Sequence, residues 1–227
     1  MFILVSTQAL LIWLPSSISL AALLWAVTTA PWRQLLAKSI RQHLLFGALI
    51  ALGVFWSFVS VNVNQVYSIH PLMITSVVFI FGLRFSLLIG ALSLLVTHSV
   101  SLPHWCTLGY HYLINVVTPA LVSAGVLLVI ARLQIQNLFL YTLGGSFFGS
   151  MLAALSVGGV SLFSLWLADS TLFLPVWDNA YIFALLTFPE GFSNGAIISS
   201  LAILRPDLVK TYDDDFYLDG KGSSPKD

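Results

Sequence analysis

The chain has 227 residues, of which 58% are hydrophobic, 13% aromatic and only 8% charged. Its mean hydropathy of +0.95 exceeds what a water-facing surface carries, so the composition describes an integral membrane protein. Nine Lys plus Arg balance nine Asp plus Glu, which excludes a basic footprint for nucleic acid and any contiguous polybasic segment, and the lone Cys106 excludes an internal disulfide or a Cys-based metal cluster.

Hydrocarbon cannot satisfy backbone polar groups, and the apolar stretches are long and without an alternating polar pattern, so they are expected to be helices rather than barrel strands. About seven runs of spanning length follow in chain order, at approximately 7–29, 44–62, 67–83, 85–102, 111–131, 138–168 and 179–204. The sixth is long enough to tilt or to contain a turn. The expected fold is therefore an all-α polytopic bundle in residues 1–205, followed by a polar, acidic tail at 206–227 that reads as solvated or as a docking site for a partner.

Basic residues check that count. Arg33, Lys38 and Arg41 follow run one, Arg84 separates runs three and four, Arg132 ends run five, and Arg205, Lys210, Lys221 and Lys226 follow run seven. With seven crossings all nine fall on one side, as the positive-inside rule requires, placing the N-terminus outside and the C-terminus in the cytoplasm. A secretory signal peptide is not expected at run one, because no Lys or Arg precedes it and Thr28–Ala30 is followed by Pro31.

Polar groups at bilayer depth need a reason to be there. Glu190, the only glutamate, follows Pro189 in run seven, and Asn194 lies one turn later on the same face. Either the pair is a ligand or proton-carrying site, or it is an internally bonded pair that holds helices together. His70, His98, His104 and His111 fall at or near the outer ends of runs three to five, while His43 starts run two. Neutral imidazoles at an outer mouth can capture a divalent ion, or they can serve as interfacial aromatic-like residues beside Tyr67, Trp105 and Tyr110. His70 precedes Pro71, which favours a first helical position, so His70 is expected to cap run three. His111 and Asn115 share a face and are expected to line the same opening. Gly145, Gly149 and Ala153, with Gly191 and Gly195, are spaced for close helix packing.

Taken in order, these motifs resemble one family. The stretch SIHPLMITSVVFIFGLRFSLLIGALSLLVTH resembles the His-led helix pair of the cobalt and nickel substrate-capture proteins of energy-coupling-factor transporters, the CbiM and NikM type. LGYHYLINVVTPALV is similar to that family's Gly, Asn and Pro pattern, and FPEGFSNGAIISSLAILRPDLV looks like its final helix. The YDDDFYL tail is similar to that of a proteobacterial branch of short membrane proteins grouped with the same permeases. The resemblance implies a permease component that captures a transition-metal ion as substrate and works with a membrane scaffold subunit and cytoplasmic ATPases. It implies His70 as a metal ligand and Asn115 and Glu190 as the family's characteristic polar positions; the residues themselves add Glu190 and His111 as candidate metal ligands and Asn194, His98 and His104 as further polar bundle positions. The family's N-terminal hook has histidine as second residue, where this chain has Phe2. HExxH, GxSxG and Walker patterns do not occur, so enzymatic function is not expected. The alternatives are a membrane enzyme or assembly factor that holds a metal or quinone, and a structural subunit that transports nothing.

Overall fold

The computed structural model describes residues 2–3, 9–63, 67–101, 105–168 and 170–218. Run one forms α1 (Ala9–Thr29), a short turn forms α2 (Trp32–Leu36), and run two forms α3 (Ser39–Phe58), which starts five residues earlier than its apolar content suggests. Its first turn carries Arg41, Gln42 and His43, polar residues that a hydropathy window leaves out. Three short strands, β1 (Phe2–Ile3), β2 (Val61–Val63) and β3 (Tyr67–Ile69), then make an antiparallel sheet in the order β1-β3-β2. Its register sets Phe2 opposite Ser68 and Val61 opposite Ile69.

Run three departs from expectation. The segment 67–83 is not one spanning helix: β3 and an extended stretch lead to α4 (Ile74–Phe81), only eight residues long. At 1.5 Å per residue α4 covers about 12 Å of a bilayer core about 30 Å thick. All eight of its residues are buried, and it packs between α5 (Leu83–Ser101), α7 (Thr118–Leu133) and α10 (Tyr181–Leu204). A short internal helix of this kind needs its termini satisfied by the protein, because lipid offers no donors or acceptors.

Run five is a 29-residue helical stretch, Trp105–Leu133, that passes through α6 (Leu108–Tyr112) and a π-helical turn (Leu113–Val117) into α7. Run six is likewise continuous, a π-helical segment at Leu140–Phe148 leading into α8 (Gly149–Ala168). Run seven is one helix, α10, and the stretch before it, outside the expected runs, forms a further helix, α9 (Ser170–Trp177), bent by 60° from α10. The all-α membrane bundle is what the chain forms. Among the described residues five helices are long and apolar enough to cross a membrane, or six with the bent pair. Trp13, Phe58, Phe188 and Leu204 are among the large apolar side chains turned outward, as lipid contact requires.

The segment after α10 is anchored to the bundle as far as it is described. Lys210 and Thr211 donate their backbone N–H groups to the carbonyls of Ile80 and Phe79 at 3.1 and 3.3 Å, which satisfies the C-terminal end of α4. α11 (Asp214–Tyr217) buries Phe216 and Tyr217, and the Tyr217 ring stacks on Tyr212 at 5.5 Å. Within the stretch expected to be a solvated tail, residues 210–217 therefore pack on the helices. Residues 2–3 and 210–211 are bound at opposite ends of the segment 67–81.

Candidate functional site

The backbone enters α4 through Met73, which adopts a left-handed conformation with φ of 57°. Consecutive N–H groups around such a residue form a concave donor set suited to an anion. Glu190 supplies it from α10: Leu72 N–H donates to Oε2 at 2.9 Å and Met73 N–H to Oε1 at 2.6 Å. Asn194, one turn along, accepts from Ser76 N–H at 2.8 Å and from the Ser76 hydroxyl at 2.7 Å, and donates to Glu190 Oε1 at 2.9 Å. The two side chains thus cap a helix on another part of the chain, and the carboxylate faces the positive end of that helix. Pro189 and the glycines that follow allow the approach. A Cβ on Gly191 would lie 2.7 Å from Met151 Cγ and 3.1 Å from the Phe147 carbonyl oxygen, so α10 meets the sixth run almost backbone to backbone.

This cap fixes what immediately precedes it, His70 and Pro71. The helix starts at Ile74, so His70 is not its cap, contrary to the expectation from Pro71; the left-handed Met73 and the cap from α10 move the start inward by three residues. The Trp56 indole donates to the Pro71 carbonyl at 2.9 Å and its ring lies 5.3 Å from the His70 ring. His70 Nδ1 lies 3.1 Å from the same carbonyl, which assigns the proton to Nδ1 and the lone pair to Nε2.

Two more histidines join this wall. His98 Nδ1 lies 3.1 Å from the Leu94 carbonyl, so that nitrogen carries the proton, and His98 Nε2 accepts from His111 Nδ1 at 3.1 Å. The relay leaves the His111 lone pair on Nε2. Asn115 donates to the His111 carbonyl at 3.0 Å and hydrogen-bonds the His70 ring. His70, His98, His111 and Asn115 are all buried. Each of the three imidazoles is oriented by a hydrogen bond through Nδ1, as metal-binding histidines are.

His70 and Glu190 also line a cavity of about 260 Å³, mostly apolar, with Pro71, Leu72, Phe183 and Ser193 on its walls. The structure thus brings together six of the seven residues singled out in the sequence, in two linked groups: Glu190 with Asn194, and His70 with His98, His111 and Asn115. His104 lies outside the described residues. Among the described residues no group of three or more His, Cys, Asp or Glu is arranged to hold a metal ion. Trp56 and Ser76 were missed. No spacing rule singles out a tryptophan 14 residues before a histidine, and nothing in a run of hydrophobic residues marks the one that turns left-handed.

Residues 4–208 match the model of the CbiM family, described as the cobalt uptake substrate-specific transmembrane region. The chain belongs to this family. No curated protein and no solved structure matches it. CbiM membership makes the chain a multi-pass protein of a metal-transport family, consistent with a bacterial inner membrane. The family is one of transporter components rather than enzymes, and its members work with other transporter components. The CbiM match spans the His70 segment, the half-helix and the Glu190 helix, the elements that build the site, and begins just after β1.

Proposed function

We propose that this protein is the substrate-binding membrane component of a transition-metal uptake system, for cobalt or nickel, coupled through a scaffold subunit to cytoplasmic ATPases. The observation that carries the reading is the convergence of His70, His111 and His98 on one buried wall of a CbiM-family bundle. His70 and His111 are the nitrogen donors. His98 and Asn115 orient them, and Glu190 with Asn194 holds the turn that presents His70. The sheet register brings residue 2 opposite Ser68, two positions before His70, so the N-terminal segment is delivered to this wall although its second residue is Phe2. In the membrane the basic end faces the cytoplasm and the sheet faces outside, with residues 1–205 as the bundle and 206–227 as the cytoplasmic tail.

The test is calorimetric titration of the purified full-length protein with Co²⁺ and Ni²⁺ in a weakly coordinating buffer. His70→Ala is expected to abolish binding. His98→Ala, which removes an orienting partner, is expected to weaken it by about 10- to 100-fold. Failure of both ions to bind at millimolar concentration overturns the reading, and adjacent genes encoding redox or cofactor-assembly proteins in place of ATPases would favour the enzyme alternative.

A further inference from the structure

The peptide unit between Pro71 and Leu72, just after His70, is held at both of its ends by distant parts of the chain. Its carbonyl accepts from the Trp56 indole at 2.9 Å, and its N–H donates to Glu190 Oε2 at 2.9 Å. Trp56 stands in the last turn of α3 and Glu190 in α10, so two helices fix one planar group between them. Held at its N–H alone, that plane is free to swing its carbonyl about the flanking backbone bonds. The indole removes the freedom. Trp56 is 1% exposed, and an indole N–H at that depth is costly unless it finds an acceptor, so the bond to Pro71 holds the tryptophan as firmly as it holds the carbonyl.

His70 uses the same carbonyl. Its Nδ1 lies 3.1 Å from the Pro71 oxygen, whose two lone pairs accommodate both donors. The indole also lies beside the imidazole, with ring centroids 5.3 Å apart and planes tilted by 54°. Asn115 hydrogen-bonds the ring as well. The rotation of His70 is therefore set by Asn115 on one side and by the Pro71 carbonyl on the other, and the direction of that carbonyl is set by Trp56.

We infer that Trp56 is a positioning residue for the metal site: by fixing the Pro71 carbonyl it fixes the tautomer and rotation of the His70 ring, and through them the affinity for a transition-metal ion. The inference rests on the reading of His70 as a nitrogen donor to the metal. Trp56 itself touches no ion, because its indole N–H is a donor with no lone pair to offer. It acts through the backbone, as the outer partners of metal-binding histidines do when they hold a ring in one orientation before the ion arrives.

The test replaces Trp56 in the full-length protein by benzothienylalanine, an isostere with sulfur in place of the indole N–H, so that shape and packing stay and only the donor goes. Trp32, whose indole donates to the Val27 carbonyl at 2.8 Å beyond the opposite end of α3, receives the same replacement as a control. Nitrogen NMR of histidine-labelled, metal-free protein reads the His70 tautomer, the signal being assigned by its absence from His70→Ala, and calorimetric titration reads the affinity for Ni²⁺. Wild type and the Trp32 isostere are expected to show a single tautomer, protonated at Nδ1. The Trp56 isostere is expected to show both tautomers and to bind Ni²⁺ about 10-fold more weakly. An unchanged tautomer in the Trp56 isostere overturns the inference whatever the affinity does, since a loss of affinity alone would come from packing. A changed tautomer with unchanged affinity overturns the link to binding, and equal changes in the Trp32 isostere overturn the assignment to Trp56. Failure of the wild type to bind Ni²⁺ overturns the metal reading instead, and the tautomer, read without metal, still decides whether Trp56 sets the ring.

Discussion

Glu190 illustrates how a residue's chemistry depends on what reaches it. As a lone carboxylate in an apolar helix it reads as a ligand or a proton carrier, and Glu190→Gln reads as a change that keeps shape and removes charge. The structure alters that expectation, because both carboxylate oxygens accept from N–H groups of Leu72, Met73 and Asn194. A glutamine has one acceptor oxygen and would point its NH₂ at a backbone donor. Glu190→Gln is therefore expected to destabilise the protein by roughly 1–3 kcal/mol, the cost of a buried unsatisfied donor, seen as a lower unfolding temperature in detergent. Asn194→Ala should act in the same direction, since it strands Ser76 N–H. Unchanged thermal stability in both variants would show that the cap does not hold α4.

Among the elements, α4 is the one that makes a site possible. A continuous helix through 67–83 would bond its own N–H groups and leave nothing for Glu190; a half-helix instead presents a polar terminus inside the bundle, beside His70. Elsewhere in the bundle, helices approach closely because of individual glycines. A Cβ on Gly158 would lie 2.7 Å from Phe183 Cγ, and one on Gly109 would lie 2.6 Å from Ser16 Cα, whereas Gly159 has nothing within 4 Å. Gly158→Ala and Gly109→Ala are thus expected to cost about 1–3 kcal/mol through overpacking, while Gly159→Ala should be neutral or slightly stabilising through helix propensity. Thermal unfolding of the three variants side by side decides this.

For the whole molecule, the two polar ends of the bundle differ in kind. One end holds the small sheet and leads to His70, His98 and His111; the other gathers Lys38, Arg41 and Lys210 around the α4 hinge. Positive-inside asymmetry then predicts that cysteines introduced at Leu36 and Gln134 react only from the cytoplasmic side. The exposed native Cys106 and a cysteine at Phe173 should react only from outside. Labelling of intact cells and inverted vesicles checks it, and a reversed pattern would mean that the chain inserts the other way round. Truncation after Arg205 is expected to lower the unfolding temperature markedly. It removes the buried Tyr212 and Tyr217 from Tyr141, takes away the buried Phe216, and leaves the carbonyls of Phe79 and Ile80 without their backbone donors.

Composition and charge order by themselves determined that this is a helical membrane bundle with one basic side, because hydrocarbon tolerates only satisfied backbones and the insertion of basic loops is directional. The motifs from SIHP to LRPD were enough to indicate the family, and Glu190, Asn194, His70 and His111 stood out because polar groups are rare in such surroundings. Hydropathy could not show that the third apolar run is half extended, since buried strand, turn and helix have the same residue content when protein surrounds them on every side. The cap from α10, the Trp56 contact with His70 and the meeting of Lys38, Arg41 and Lys210 were decided only by tertiary structure. Their partners lie 14 to more than 150 residues apart, and no local pattern encodes which distant group will satisfy a buried donor or share a pocket.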